Sequence, residues 1–187
     1  DVKYYHIYFN DSKEEIKRYY LYKDDKVTKI KILIEYQVTT FQSLFYYCEC
    51  IKSINFIKFY RNNIINMKDM FCSCKSLEEL NISNFNTENV TDMKSMFYSC
   101  KSLEELKVNN FKTNKVIDMS FMFFRYSLLK ELNISNFDIE NVKNMYGIFD
   151  ECYSLKELKS SNFNIENIID EGNIVITNLI SNARKLN

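Results

Sequence analysis

The sequence predicts an α/β solenoid: a right-handed coil of five to six 26-residue repeats, with parallel strands on a concave face, short helices on a convex face and an N-terminal β cap. Three observations predict it. A period of 26 runs without gaps through most of the 187 residues. Inside each repeat the apolar spacing switches from helical to strand-like. The first 37 residues do not repeat and are rich in aromatic and β-branched side chains.

Residues 1–37 come first. "VKYYHIYF" and "IKRYYLY" followed by "KVTKIKILIEY" alternate in places, and Lys23-Asp24-Asp25-Lys26 makes a turn between strands. A stack of repeats needs its end covered, so this segment reads as a β-hairpin cap. Residues 38–175 form the solenoid. Residues 176–187 are either a C-terminal cap or the start of a further repeat.

The repeat rests on whole columns of residues. Phe45, Phe71, Phe97, Phe123 and Phe149 are 26 apart, as are Phe59, Phe85, Phe111, Phe137 and Phe163. Ile51, Leu77, Leu103, Leu129 and Leu155 form a third column, and Ile54, Leu80, Leu106, Leu132 and Leu158 a fourth. Phe41, Met67, Met93, Met119 and Met145 make a fifth, and Ile64, Val90, Val116, Val142 and Ile168 a sixth. A sixth repeat begins at Ile168 and fades after Ile174 and Val175.

The repeat from Asp92 shows the expected chemistry. Asp92 is a helix N-cap, with Asn66, Asp118, Asn144 and Asp170 at equivalent positions. Met93, Met96, Phe97 and Cys100 fall at i, i+3, i+4 and i+7, one apolar helical face, with Lys94, Ser95, Tyr98 and Ser99 outside it. Leu103, Leu106 and Val108 then follow an L-x-x-L-x-L pattern, alternating as a strand does. Strands pair at about 4.8 Å, whereas helices need about 8–10 Å between axes. The stack is therefore expected to curve.

These residues resemble a known family. "MKDMFCSCKSLEELNISNFNTENVTDMKSMFYSCKSLEEL" and "NISNFDIENVKNMYGIFDECYSLKEL" are similar to BspA-type leucine-rich repeats, known from bacterial surface proteins, mycoplasma lipoproteins and unicellular eukaryotes. The resemblance covers residues 41–175. It implies a leucine-rich-repeat solenoid that binds proteins or adheres to surfaces, without catalytic residues. Arg125 and Tyr126 depart from it, standing where other repeats have a small residue and Cys. So does the first repeat, where Phe41 and Leu44 replace two Met.

Composition excludes several classes. Twenty-five basic and 25 acidic residues balance, giving no electrostatic footprint for nucleic acid or an anionic membrane. No apolar run approaches a membrane span of about 18–20 residues, so membrane association is expected only through an anchor outside this segment. The chain begins at Asp1 without Met and is read as processed or a fragment, so the lack of a signal peptide leaves secretion open. One His (His6), two Gly and no phosphate-binding, dinucleotide or nucleophile-elbow motif argue against an enzyme. No cofactor and no small-molecule substrate are expected.

The six cysteines invite a metal or disulfide reading. Cys48, Cys74, Cys100 and Cys152 share a column, and Cys50 and Cys72 lie two residues from it. There is no C-x-x-C, and His6 is far off in sequence, so no metal site is expected. Helices would hold the column members too far apart for a bond. Buried free thiols are the expectation, with a pairing of Cys50 and Cys72 open in an oxidising compartment. The Asn columns (Asn84, Asn110, Asn136, Asn162; Asn63, Asn89, Asn141, Asn167) read as ladders serving turn amides. Asn10, Asn81, Asn89 and Asn133 match N-x-[S/T], which such a composition yields freely.

The expected binding face is the concave one. Glu79, Glu105, Glu131 and Glu157 form one outward column, with Ser53 in the first repeat. Asn81, Lys107, Asn133 and Lys159 form the next, with Asn55. Stacked carboxylates repel one another, which a basic or mixed-charge protein segment would relieve. The functional expectation is a non-catalytic scaffold or structural subunit of an intracellular assembly. The alternative is a cell-surface adhesin or receptor-type ectodomain.

Overall fold

The structure is a computed structural model and describes residues 5–18, 26–27, 29–34, 38–57 and 62–161. The turn residues Lys23, Asp24 and Asp25, the column members Phe59, Asn162, Phe163 and Asn167, the expected sixth repeat and the tail 176–187 lie outside the described residues. The chain divides into two compact units, Asp1–Gln37 and Val38–Asn187.

In the first unit, β1 (Tyr5–Phe9) pairs antiparallel with β2 (Ile30–Ile34), Tyr5 opposite Ile34 and Phe9 opposite Ile30. Ile16 bridges β1 as well, its N–H donating to the Ile7 carbonyl at 2.7 Å. Asn10 ends β1 in the left-handed region at φ 53°, where Asn is tolerated. Its side chain accepts from the Lys29 N–H and donates to the Lys26 carbonyl. His6 bonds Glu15 through Nδ1 at 3.0 Å.

In the second unit, parallel bridges link Thr40 to Asn66, Asn66 to Asp92, Asp92 to Asp118 and Asp118 to Asn144. These residues open five repeats, numbered 1 to 5 here. Each puts a side-chain oxygen on the N–H two residues on, from Gln42, Lys68, Lys94, Ser120 and Tyr146 in turn. That is the local bond of an Asx or Ser/Thr turn. The expected N-caps thus cap something, but it is not a helix.

No α-helix occurs among the described residues. Where repeat 2 was expected to be helical, alternate amides reach the next repeat: Met67 to the Asp92 carbonyl, Asp69 to Lys94, Phe71 to Met96 and Ser73 to Tyr98, at 2.7–2.9 Å. The amides between them close turns on carbonyls three residues back, Met70 on Met67, Cys72 on Asp69 and Cys74 on Phe71. A helix would bond four residues back. Two residues per repeat take positive φ: Asp69 and Ser73, Ser95 and Ser99, Phe121 and Arg125, Gly147 and Glu151. That is the value a type II turn requires at its third residue.

The physical reason is one of spacing. Helices about 8–10 Å apart could not stack beside strands about 4.8 Å apart without bending the array. A run of turns repeats at the strand distance, so both sides of each repeat match. The reason for expecting curvature goes with the helices. Ser95 and Ser99, expected outside the apolar face, are buried, because the turns draw their backbone inward.

The apolar columns form the core. Met67, Met93 and Met119, Phe71, Phe97 and Phe123, and Leu77, Leu103 and Leu129 are fully buried. Rings of the first Phe column stack nearly parallel, with centroids 5.6, 5.7, 5.9 and 5.5 Å apart from Phe45 to Phe149. Each buried ring contributes about 1.5–3 kcal/mol, and each ring pair about 0.5–1.5 kcal/mol more. The Asn columns serve the main chain: Asn136 donates to the Val108 and Phe111 carbonyls of the preceding repeat, and Asn110 to those of Ile82 and Phe85.

Short strands lie on the other side of the repeat. β3 (Ser53–Asn55) pairs in parallel with β4 (Glu79–Asn81), and β5 (Glu131–Asn133) with β6 (Glu157–Lys159). Repeat 3 breaks the series. Leu106 and Val108 are buried as strand alternation expects, but Glu105–Lys107 forms no strand. Asn81 and Asn133 each tie off their strand by accepting the N–H and hydroxyl of Ser83 or Ser135. Lys107 has no acceptor with which to do so, but neither has Lys159, which ends β6, so this bond does not account for the break.

Candidate functional site

The outward residues of the strand side are the place to look. The strand pairing sets Ser53 beside Glu79, Asn55 beside Asn81, Glu131 beside Glu157 and Asn133 beside Lys159. The outer residues of all four strands are exposed, while the central Ile or Leu faces in. Six of the eight expected site residues, Glu105, Lys107, Glu131, Asn133, Glu157 and Lys159, border one open depression of about 310 Å³. Glu79 and Asn81 sit on β4, outside it. Leu106, Val108 and Leu132 also line it. Sequence reasoning had assigned these three to the core alone.

Three of the four carboxylates have a local partner, and two of those partners are cations. Glu79 accepts the Ser53 hydroxyl at 3.1 Å. Glu105 pairs with Lys107 at 3.0 Å, and Glu157 with Lys159 at 3.1 Å. Glu131 faces Glu157 across the strand pair, with neither hydrogen bond nor ion pair among the described residues. Two unit charges about 4 Å apart in water repel by about 1 kcal/mol. Exposed pairs of this kind add little stability, so the arrangement is cheap to rearrange around a bound cationic group. Asn81 and Asn133, committed to Ser83 and Ser135, are turn residues first.

The thiols occupy the turn side. All six cysteines are free. Cys74, Cys100 and Cys152 donate to the carbonyls of Phe45, Phe71 and Phe123 at 3.1, 3.2 and 2.9 Å. Burial pushes Cys74 and Cys152 up to about 12 and Cys100 well above its ordinary value. These thiols stay protonated at neutral pH, which slows any reaction through them. Tyr126 holds the fourth position of the column, fully buried, with a hydroxyl that finds no partner among the described residues. Arg125 before it grips Glu151 through two nitrogens at 2.7 and 3.0 Å and lies over the Phe124 ring. Among the described residues no three His, Cys, Asp or Glu side chains group to hold a metal, and no helix is long and apolar enough to cross a membrane.

The family described as "Mycoplasma protein of unknown function, DUF285" has a model that matches residues 20–106 and again 65–187. The chain belongs to this family. The two DUF285 matches overlap across residues 65–106, as they must when a repeated sequence aligns in more than one frame. Searches of curated proteins and of solved structures returned no match.

Proposed function

We propose that this DUF285 chain is a BspA-type leucine-rich-repeat solenoid, with turn runs where helices were expected, acting as a non-catalytic protein-binding module. Its partner is a protein segment carrying a basic side chain, held on the strand side of repeats 3 to 5. The observation that carries the reading is Glu131. It is an exposed carboxylate without a local counter-charge, beside a like charge, at the edge of a depression with Leu106 and Leu132 among its lining. A cationic head set against Glu131, with its aliphatic stem on the leucines, satisfies both features.

The non-catalytic part of the reading is supported by the site's chemistry. Its carboxylates recur with the repeat on an exposed surface, and the buried thiols are held protonated. A scaffold or structural subunit in a larger intracellular assembly is the role this favours, since free thiols persist in a reducing compartment.

Cross-linking mass spectrometry on native extract tests it. Links from Lys107 and Lys159 to one recurring protein, lost when Glu105, Glu131 and Glu157 are changed to Lys, are the expected result. Unchanged links after that reversal overturn the proposed face. Self-links alone, with the protein in the membrane or medium fraction, replace the scaffold with a surface adhesin.

A further inference from the structure

We propose that Cys48 and Cys74 are an oxidation site, two thiols in register on neighbouring repeats that join as a disulfide when a small-molecule disulfide supplies the oxidising equivalents.

The turn ladder creates this geometry, which a helix would not. The Phe45 N–H donates to the Met70 carbonyl and the Tyr47 N–H to that of Cys72, each at 2.9 Å. The ladder is therefore in parallel register up to the residue before each cysteine. Three residues earlier, the equivalent rings of Phe45 and Phe71 stack 5.6 Å apart. In-register residues of parallel strands lie about 4.8 Å apart, inside the roughly 4.4–6.8 Å that a disulfide spans between Cα atoms. The Cys74 thiol already points toward repeat 1, donating to the Phe45 carbonyl at 3.1 Å.

Register and access together select this pair among the six. Cys48 is only half-buried, whereas Cys74 and Cys100 have no exposed surface. Cys50 is more exposed still, but within the column of cysteines an oxidant reaches Cys48 first, and Cys74 is its neighbour there. Tyr126 ends the run of cysteines, separating Cys100 from Cys152. Cys50 and Cys72 belong to different columns, with Ser76 and Ser102 on one side and Tyr46 and Tyr98 on the other, so the register does not bring them together. Burial raises the Cys48 thiol as well as that of Cys74, which makes the exchange slow at neutral pH and faster in alkali.

The chemistry balances as ordinary thiol–disulfide exchange. Cys48 loses its proton and attacks one sulfur of the small disulfide. That S–S bond breaks, a mixed disulfide forms, and one small thiolate leaves and takes up a proton. Cys74 then loses its proton and attacks the Cys48 sulfur, expelling the second small thiol. Two protein thiols give up two electrons, and one small disulfide is reduced to two thiols.

The full chain is incubated with glutathione disulfide under native conditions, its remaining thiols are alkylated, and it is digested and mapped by mass spectrometry without reduction. A peptide linked through Cys48 and Cys74 is the expected product. It is absent from Cys48→Ser and Cys74→Ser and retained in Cys50→Ser. The oxidised protein melts several degrees higher than the reduced one, because the bond closes a loop between repeats. Cys48→Ser, at a partly exposed position, removes that shift without disturbing the fold. Cys48 recovered as a stable mixed disulfide while Cys74 stays free overturns the proposal, as does a link through Cys50.

Discussion

Along the turn side, repeats 1 to 5 are bonded to one another without a break. Along the strand side, pairing joins β3 to β4 and β5 to β6 and lapses at Glu105–Lys107. Both sides bury their apolar columns, so burial is not the difference. The difference is how many main-chain groups each repeat offers its neighbour. A turn run presents four amides outward per repeat, each held in place by the turn closed beside it. A three-residue strand offers few, and nothing rigid flanks them. Main-chain continuity follows the segment whose backbone is already fixed.

The largest expected effect is in hydrogen exchange. The amides of Met93, Ser95, Phe97 and Ser99 should exchange about two to three orders of magnitude more slowly than those of Glu104–Lys107 in the same repeat, because unpaired backbone opens without unfolding. Equal protection would erase the contrast between the sides.

Core truncation comes next. Phe97→Ala removes a ring stacked on both neighbours and should cost about 3–5 kcal/mol in chemical denaturation, against about 2–3 kcal/mol for Leu106→Ala on the strand side. A reversed order would mean that the strand side carries the stack.

The buried thiols predict an alkaline weakness confined to the turn side. Cys74 and Cys152 hold their protons in the folded state up to about 12, against 9.0 when exposed. Between those values the folded protein binds more protons than the unfolded chain. Stability should therefore be intact below pH 9 and fall as pH rises above it, by up to about 1.4 kcal/mol per pH unit for each thiol. Cys152→Ala, followed by thermal melts at several pH values, should flatten part of that fall.

A smaller loss sharpens the role of the left-handed positions. At Gly147, φ is +61° and an added Cβ would meet the Phe121 ring at 2.7 Å. Gly147→Ala should cost about 1–3 kcal/mol, and Phe121→Ala in the same chain should recover part of it.

The smallest effect belongs to the proposed face. Glu131→Lys should leave stability within about 0.5 kcal/mol of the parent in denaturation, as exposed substitutions do, while abolishing the cross-links to a basic partner.

Much of this was legible in the sequence, for a physical reason. Period and burial depend on side chains, and Met93, Met96, Phe97 and Cys100 are buried as their spacing requires. The Asn and Asp that open each repeat also advertise their role through a short polar side chain. Backbone conformation was less legible, because the i, i+3, i+4, i+7 spacing serves a run of turns as well as a helix. Gly147, one of only two glycines, sat inside an expected helix and was the available hint. Phe121 at the equivalent position, and Arg125 at the second positive-φ position of its repeat, gave none, since bulky residues rarely take positive φ. The outward columns at the candidate face could be read from alternation alone. The isolation of Glu131 could not, since it depends on which neighbour each side chain reaches, and nor could the lapse at Lys107.

The ladder between repeats also governs how such a gene can change length. Every second amide on the turn side is matched to a carbonyl in the next repeat, and each column to its own register. Losing or gaining part of a repeat would therefore shift every downstream Phe, Met and Leu out of its stack. Losing or gaining one complete repeat would keep every column and the turn-side ladder in register. Unequal recombination between similar copies produces that kind of change, so the architecture accommodates gain or loss of whole repeats.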